Sequence, residues 1–237
     1  MNDNKDIKVV AIIPARGGSK GIPFKNLQKI GGIPLVGRTI IQAIKAPSVN
    51  KVIVSTENEE ISKVAKSYGA DVIKRPEDLA GDSVSSEAVL IDSLQELKNH
   101  GYFPDLILLL QCTSPFMLTI DIEAAINILK EKNADVVFSV FHWHGFLWRE
   151  TGQGGVEPVN HDANFRKMRQ ELETTYQENG AVYVMKSSGF INAKHRFFGK
   201  VLPYIMPTER SLDIDDPCDL ELAEFLLQRV KRYGLEL

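Results

Sequence analysis

Short runs of consecutive apolar residues alternate along this chain with longer stretches in which apolar residues recur at helical spacing. The apolar runs cover residues 9–13, 52–54, 106–110, 136–140 and 181–185. Runs that are apolar on both faces are typical of strands in a parallel sheet with helices on each side. The pattern therefore predicts a sheet of buried, mostly parallel strands.

Three stretches between or after these runs have the spacing of amphipathic helices, at residues 83–98, 119–131 and 217–231. In the first, Ile91, Leu94 and Leu97 are predicted to share a buried face, and Gly101 supplies a C-terminal stop. Alternation of strands and helices predicts the α/β class, with a doubly wound, Rossmann-like sheet.

One segment, residues 141–176, departs from this alternation and is rich in glycine, aromatic and polar residues. It contains Trp143 and Trp148, the only tryptophans of the chain. A long insertion between two core strands is often functional or forms an interface. We predict a core domain of residues 1–140 and 177–237, and an insertion of residues 141–176 that forms a homodimer contact. The alternative is a surface excursion with a small core of its own.

Composition narrows the possible functions. The chain has 237 residues and a net charge of −3, so no global basic field favours nucleic acid or an anionic membrane. Cys112 and Cys218 are far apart and indicate neither a disulfide framework nor a cysteine metal site. The N-terminus is polar and is not a signal peptide, and no apolar run has membrane-spanning length. We expect a cytoplasmic protein.

A glycine-rich loop, residues 15–26, directly follows the first predicted strand. It contains three glycines, three basic side chains and a serine: Gly17, Gly18, Gly21, Arg16, Lys20, Lys25 and Ser19. Ligands of open α/β sheets bind beyond the carboxyl ends of the strands. We expect the glycines to take positive φ and to let backbone N–H groups approach phosphate oxygens. The alternative is a strand-to-helix turn with solvated charges.

Spacing argues against two common phosphate-binding motifs in this loop. The interval from Gly17 to Gly21 is one residue too short for G-x-x-x-x-G-K-[ST], and Ile22 follows Gly21. The glycines also fit no G-x-G-x-x-G frame. A P-loop enzyme and a dehydrogenase are therefore both disfavoured.

Acidic residues near the C-terminus alternate with apolar ones. On an extended strand Asp213 and Asp215 point to one face, and Leu212 and Ile214 to the other. Two neighbouring carboxylates repel each other unless a cation lies between them, and such oxygen ligands suit Mg²⁺ or Mn²⁺. The alternative is a solvated strand end. Asp216 precedes Pro217 and is predicted to be a helix N-cap outside the site.

Five blocks of this sequence occur in the order seen in one known family. They are "IPARGGSKGIPFKN" (13–26), "RPEDLAGDSVSSEAV" (75–89), "LLLQCTSPF" (108–116), "NGAVYV" (179–184) and "SLDIDDPCDLELAE" (211–224). Together they resemble the acylneuraminate cytidylyltransferases, nucleotidyltransferases that couple CTP to a nonulosonic 2-keto sugar acid. The third block departs from the family pattern at Cys112, where proline is usual.

The resemblance implies a role for each block. The triphosphate-binding positions are Arg16, Gly17, Ser19, Lys25 and Asn26, and the cytosine-binding positions are Arg75, Ala80, Asp82 and Ser83. Arg16, Lys25 and Asp215 are implied to be catalytic, with Asp213 and Asp215 as metal ligands. A helix N-cap is the alternative for Asp82, Ser83 or Ser85, because the amphipathic stretch begins there.

The sugar-binding positions implied by the resemblance are Gln111, Arg169, Gln170, Gln177 and Asn179. This chain lacks two cations of the family pattern, because Leu147 replaces a lysine and Gln177 an arginine. The implied partners are therefore CTP and an altered acidic 2-keto sugar, with no nucleic acid and no membrane. Two alternatives remain open: a 3-deoxy-manno-octulosonate cytidylyltransferase, and a catalytically silent nucleotide-binding regulator on the same scaffold.

Overall fold

Strands and helices alternate along the chain in the computed structural model, which describes residues 7–19, 21–152, 154–165 and 167–232. The strands are β1 (Val9–Pro14), β2 (Lys29–Ile30), β3 (Ile33–Pro34), β4 (Lys51–Thr56), β5 (Asp71–Lys74), β6 (Leu106–Leu110), β7 (Val136–Trp143), β8 (Trp148–Glu150), β9 (Val156–Pro158), β10 (Thr175–Lys186) and β11 (Val201–Ile205). The helices are α1 (Leu35–Lys45), α2 (Glu59–Ser67), α3 (Ser86–Asn99), α4 (Thr119–Glu131), α5 (Ser187–Ala193) and α6 (Pro217–Arg232).

Seven of the strands in these residues form one sheet in the order β11-β7-β10-β6-β1-β4-β5. The pairs of β1 with β4 and β6, of β4 with β5 and of β7 with β11 are parallel. Among the described strands of this sheet, only β10 runs antiparallel to its neighbours, β6 and β7. The predicted mostly parallel, doubly wound sheet is confirmed.

The apolar runs form strands because both faces of the sheet are covered. Along β1, Val9, Ala11 and Ile13 enter one layer of the core, and Val10 and Ile12 enter the other. Helices α1, α2, α4 and α6 contribute to the first layer, whereas α3 and α5 contribute to the second. A fully buried strand has no polar face, which explains its continuous apolar sequence.

The three predicted helices form, with one change in the buried face of α3. Leu90 is buried with Leu94 and Leu97, whereas Ile91 is exposed. The prediction for Ile91 was wrong because the face of α3 is rotated by one position. The helix ends before Gly101, whose φ of 73° is the left-handed value expected after a helix C-terminus.

The direction of β10 places the insertion at the functional edge of the sheet. Because β7 is parallel to β11 and antiparallel to β10, the carboxyl end of β7 and the start of β10 lie at the same edge. The carboxyl ends of β1, β4 and β6 also meet there. Residues 144–174 therefore leave and re-enter the sheet beside the loops that follow β1, β4 and β6.

A buried ion pair fixes the segment that leads from β11 to α6. The Arg210 guanidinium bonds to the Asp121 carboxylate of α4, and both side chains are almost fully buried. The Tyr204 hydroxyl donates to Asp121 Oδ1 at 2.7 Å, and the Leu118 N–H donates to Asp121 Oδ2 at 2.8 Å. These hydrogen bonds help to offset the cost of removing the two charges from water. None of the helices in the described ranges has the length and apolar character needed to cross a membrane.

Candidate active site

A cavity of about 290 Å³ lies at the carboxyl edge of β1 and β6. We call it the edge cavity. Seven residues predicted from the sequence line it: Arg16, Ser19, Lys25, Asn26, Arg75, Asp82 and Gln111. They come from three segments that are distant in sequence. The parallel strands bring these segments together, as the general rule for open α/β sheets predicts.

The glycine-rich loop holds its basic side chains over this cavity. Arg16 Nη1 lies 2.6 Å from Asp82 Oδ1. The Asn26 side chain donates to the Arg16 carbonyl at 2.9 Å and so fixes the width of the loop. Phe24, with φ of 49°, turns the chain into the short 3₁₀ turn that begins at Lys25. Residue 20 lies outside the described residues.

The glycines of this loop act through close approach rather than through unusual φ. Neither Gly17 nor Gly18 has positive φ, so that expectation was wrong. A Cβ on Gly17 would lie 2.6 Å from Asn58 Nδ2, and one on Gly21 would lie 2.5 Å from the Asp215 carbonyl oxygen. The Gly17 N–H donates to Glu57 Oε1 at 2.6 Å. The glycines thus let the loop pack against two other segments.

Arg75 is held rigidly at the base of the edge cavity. It is 4% exposed, and it donates to the Ser55 carbonyl at 2.7 Å and to Ser55 Oγ at 3.3 Å. Burial lowers the pKa of Arg75, while the charge of Glu57 raises it. The guanidinium remains charged, because even a lowered arginine pKa stays far above neutrality.

Sequence reasoning missed Glu57, which follows β4 at this same edge. One of its carboxylate oxygens is buried and has no hydrogen-bond partner among the described residues. An acidic residue directly after a predicted parallel strand was the available signal. Glu57 supplies a negative charge between the glycine-rich loop and Arg75.

The loop of residues 80–85 contributes side chains and backbone to the other wall. Gly81, Asp82 and Val84 line the edge cavity, whereas Ala80 closes a 3₁₀ turn and bonds to Glu77. Ser85, not Asp82 or Ser83, caps α3 by accepting the Ala88 N–H at 3.2 Å. The capping alternative for Asp82 and Ser83 is therefore excluded.

Lys25 connects the glycine-rich loop to residues 211–216, which we call the acidic segment. Its Nζ donates to the Ile214 carbonyl at 2.7 Å and lies 3.1 Å from Asp215 Oδ1. Residues 211–215 are not a strand, which corrects the prediction. Instead the Ile214 N–H bonds to the Thr113 carbonyl at 2.9 Å. The alternation persists, since Ile214 is buried and both aspartates are exposed.

The two aspartates fit a divalent cation of the magnesium type. Loss of water around Asp213 raises its pKa, a hydrogen bond from Thr113 opposes this shift, and the charge of Asp215 adds to it. Such a carboxyl pair gains from a cation between its members. The described residues contain no cluster of three or more possible protein ligands. Mg²⁺ commonly uses one or two carboxylates together with water and phosphate, and Asp213 and Asp215 are two such carboxylates.

Two further aspartates hold this segment in place. Asp216 Oδ1 accepts the Cys218 N–H at 2.8 Å, which confirms its predicted capping role at the start of α6. Asp219 Oδ2 accepts the N–H groups of Asp215 at 2.8 Å and of Asp216 at 2.9 Å. Asp219 was not predicted as a site residue, although an acidic residue in a first helical turn commonly bonds backwards.

The predicted sugar-binding residues that the structure describes lie in different surroundings. Gln111 lines the edge cavity, and the absence of a Cβ on Gly180 makes room for its Oε1 atom. Asn179 is buried, and its Nδ2 donates to Ser211 Oγ at 3.0 Å, so it supports the wall from behind. Gln177 is exposed on β10 opposite Phe141.

The remaining two sugar-binding predictions fall in the insertion. Gln170 is exposed and bonds to Met168 Sδ at 3.4 Å. Arg169 begins a 3₁₀ turn, and its side chain lies outside the described part of the structure. The insertion also exposes several large apolar side chains: Trp143, Leu147, Trp148, Val156, Val159, Phe165, Met168 and Tyr176.

Comparison with known sequences agrees with the motifs. A family model described as cytidylyltransferase matches residues 10–236. N-acylneuraminate cytidylyltransferase A of Danio rerio is 38% identical over 97% of this chain and 52% of the relative. The Escherichia coli N-acylneuraminate cytidylyltransferase is 34% identical over 97% of this chain and 54% of its own length. The chain thus spans about half the length of these two relatives.

A third relative matches along nearly its entire length. The CMP-N,N'-diacetyllegionaminic acid synthase of Legionella pneumophila is 33% identical over 94% of this chain and 97% of its own. Among solved structures, a CMP:2-keto-3-deoxy-manno-octonic acid synthetase in complex with CTP has a TM-score of 0.69 at 16% identity, covering 94% of this chain and 99% of that one. At such identity the structural likeness shows a shared fold.

Proposed function

We propose, given that this chain belongs to the cytidylyltransferase family, that it couples CTP to an acidic 2-keto sugar of the nonulosonic class. The products are a CMP-sugar and pyrophosphate. The observation that carries the proposal is the edge cavity, where Arg16, Lys25, Arg75 and Gln111 meet beside the acidic segment. Phosphate-binding cations, a base-binding group and a polar amide thus share one cavity, as transfer of a cytidylyl group requires.

In this proposal the cytosine base and the phosphates of CTP contact opposite walls of the edge cavity. Arg75 and the backbone of residues 80–83 contact cytosine, which offers both donors and acceptors. The side chains of the glycine-rich loop, Ser19 and Asn26 among them, contact the triphosphate. Arg16 and Lys25 neutralise the charge that develops on the leaving pyrophosphate, a type of stabilisation that is strong in a cavity shielded from water.

Asp213 and Asp215 would hold Mg²⁺ or Mn²⁺, which supplies charge neutralisation at the phosphates when bound. Lys25 orients the Asp215 carboxylate through their 3.1 Å contact. The anomeric hydroxyl of the sugar forms a new bond to the α-phosphorus as the bond to pyrophosphate breaks. Positioning of the two substrates at the sheet edge contributes much of the rate.

The sugar end of the site is proposed to combine Gln111 with residues 169–179. Gln111 donates and accepts hydrogen bonds to sugar substituents, and the Arg169 guanidinium suits a carboxylate. Arg169, Gln170 and Gln177 would complete the site, with Asn179 supporting its wall. Leu147 and Gln177 replace two cations of the family pattern, so the acid sugar differs from N-acetylneuraminate. The full-length match to a diacetyllegionaminic acid synthase supports this choice of class.

We also propose a homodimer through the insertion, residues 141–176. A monomer rarely leaves so many large apolar side chains in one segment exposed to water. Sedimentation velocity tests this proposal, with Phe165→Glu as the variant, because Phe165 is 63% exposed and the substitution disturbs little else. Dissociation to monomers on this change supports the dimer, and a parent protein that sediments as a monomer contradicts it.

Pyrophosphate release tests the reaction. The parent protein is incubated with CTP and a panel of keto sugar acids, with and without Mg²⁺. We expect metal-dependent release with a nonulosonic acid, loss of release in Asp215→Ala, and normal release in Asp78→Ala, which removes an exposed aspartate elsewhere. Preference for the octulosonate would identify the alternative enzyme. Tight CTP binding without turnover on any acid would identify the silent regulator.

A further inference from the structure

Both cations of the glycine-rich loop that the structure describes at the edge cavity already have an acidic partner, and so does one backbone N–H of this loop. Arg16 Nη1 lies 2.6 Å from Asp82, Lys25 Nζ lies 3.1 Å from Asp215, and the Gly17 N–H donates to Glu57 at 2.6 Å. The three carboxylates come from three different segments. Phosphates that bind Arg16 or Lys25 must therefore compete with the carboxylates that already contact these two cations.

The two ion pairs differ in how easily they exchange. Lys25 is 14% exposed in its side chain and also bonds to the Ile214 carbonyl at 2.7 Å, which holds it in place whatever Asp215 does. Arg16 and Asp82 are 32% and 44% exposed, and both line the edge cavity. Because both members of the Arg16–Asp82 pair line the edge cavity, an incoming ligand can reach this pair and exchange one partner.

We propose that Asp82 limits the affinity for pyrophosphate by competing with its phosphates for Arg16. A pyrophosphate or triphosphate group carries enough negative charge to displace Asp82 from Arg16, because the attraction between two ions grows with the product of their charges. When the highly charged group leaves, Asp82 pairs with Arg16 again and so speeds its release. The inference rests on the proposed function, in which this loop binds the triphosphate of CTP.

This role has the opposite sign to a direct contact between Asp82 and the nucleotide. If Asp82 bonds to the base, removing its charge weakens nucleotide binding. If Asp82 competes for Arg16, removing its charge strengthens the binding of pyrophosphate, because Arg16 is then available. The two roles are therefore separated by the direction of one measured change.

Calorimetric titration of the whole chain with inorganic pyrophosphate, without divalent cation and at low salt, measures this direction. Asp82→Asn should lower the Kd for pyrophosphate roughly two- to five-fold, the range expected for a solvent-exposed ion pair. The Kd for CMP should stay unchanged. Asp78→Asn makes the same charge change at an exposed position of the same segment and should alter neither Kd. Circular dichroism confirms that the variants fold.

A double-mutant cycle shows whether the effect passes through Arg16. In an Arg16→Gln background, Asp82→Asn should no longer strengthen pyrophosphate binding, since the competed cation is gone. Weaker binding in Asp82→Asn, an equal gain in Asp78→Asn, or a gain that persists without Arg16 each overturns the inference. A parent protein that binds no pyrophosphate at all overturns the proposed function itself, and the inference with it.

Discussion

The edge cavity and the insertion lie at the same end of the sheet, yet they are built in different ways. Arg75 of the edge cavity is fixed by its hydrogen bonds to buried Ser55. Side chains of the insertion are mostly exposed, and Gln170 and Gln177 lie on its surface and on β10. The lining of the edge cavity is therefore set by packing within one chain, whereas the surroundings of the exposed apolar side chains depend on what covers the insertion.

Strand β10 joins these two regions and shows where the change occurs. Its residues 179–185 are buried, and residues 175–178 are exposed. The pairing of β10 with β7 shifts register between Glu178 and Tyr183. The buried half of β10 therefore carries Asn179 and lies beside Gln111, whereas the exposed half carries Gln177.

The largest expected effect is a loss of catalytic activity when Lys25, in the edge cavity, is replaced. Lys25→Met should lower kcat/KM roughly 10²- to 10³-fold, as loss of one preorganised charge-stabilising donor commonly does. The unfolding midpoint should change little. Lys45→Met, at the exposed end of α1, serves as the control and should keep full activity. A decrease below tenfold in the pyrophosphate-release assay would show that the edge cavity does not perform the chemistry.

A smaller loss is expected when the glycine-rich loop is pushed away from the acidic segment. Gly21→Ala places a Cβ about 2.5 Å from the Asp215 carbonyl oxygen, so the backbone of one segment must shift. Such a misplacement should reduce kcat by roughly 10-fold or more. Gly18→Ala is the matched control, because nothing lies within 4 Å of its Cβ position. Equal activity of the two variants contradicts the role assigned to this contact.

A change on the exposed half of β10 should affect only the sugar. Gln177→Arg restores a cation of the family pattern and should change the KM of an acidic sugar by roughly 10-fold, the strength of a charged hydrogen bond. The KM of CTP should stay constant, because Gln177 lies outside the edge cavity. Gln95→Arg, at an exposed position of α3, controls for the added positive charge. If the KM of CTP changes as well, the two regions are not separable.

The smallest effect on activity is expected from labelling of the cysteines. Cys112 is 3% exposed, and burial raises the pKa of its thiol to about 12. Because the thiolate is the reactive form, iodoacetamide at pH 8 should modify exposed Cys218 and spare Cys112 until the protein unfolds. Peptide mass spectrometry measures both sites, and comparable rates would show that the floor of the edge cavity opens in the native state.

Much of the nucleotide end was predictable from sequence because its determinants are local. Arg16, Arg75 and Gln111 closely follow β1, β5 and β6, and Lys25 belongs to the loop after β1. Parallel strands bring such positions to one edge of the sheet. Glu57 was not predicted. The antiparallel direction of β10 was not predicted either, because the sequence of a fully buried strand does not indicate in which direction the strand runs.

The sugar end could not be predicted to the same degree. Asn179 was predicted to contact the sugar, but whether a polar side chain faces a cavity or a neighbouring hydroxyl depends on tertiary packing. The roles of Gln170 and Gln177 depend on surfaces that one chain does not bring together. These remain predictions, for which the sugar-panel and sedimentation experiments are decisive.

The contacts of Asp219 couple the first turn of α6 to the proposed site, so hydrogen exchange in this helix can be used to detect ligand binding. Asp219 lies in the first turn of α6 and accepts the N–H groups of Asp215 and Asp216, while Ala223 and Leu227 anchor the helix in the core. A ligand that orders Asp215 therefore also stabilises the first turn of α6 against local opening. Hydrogen–deuterium exchange in this helix should slow when ligand binds, although most of its residues lie beyond any ligand's reach.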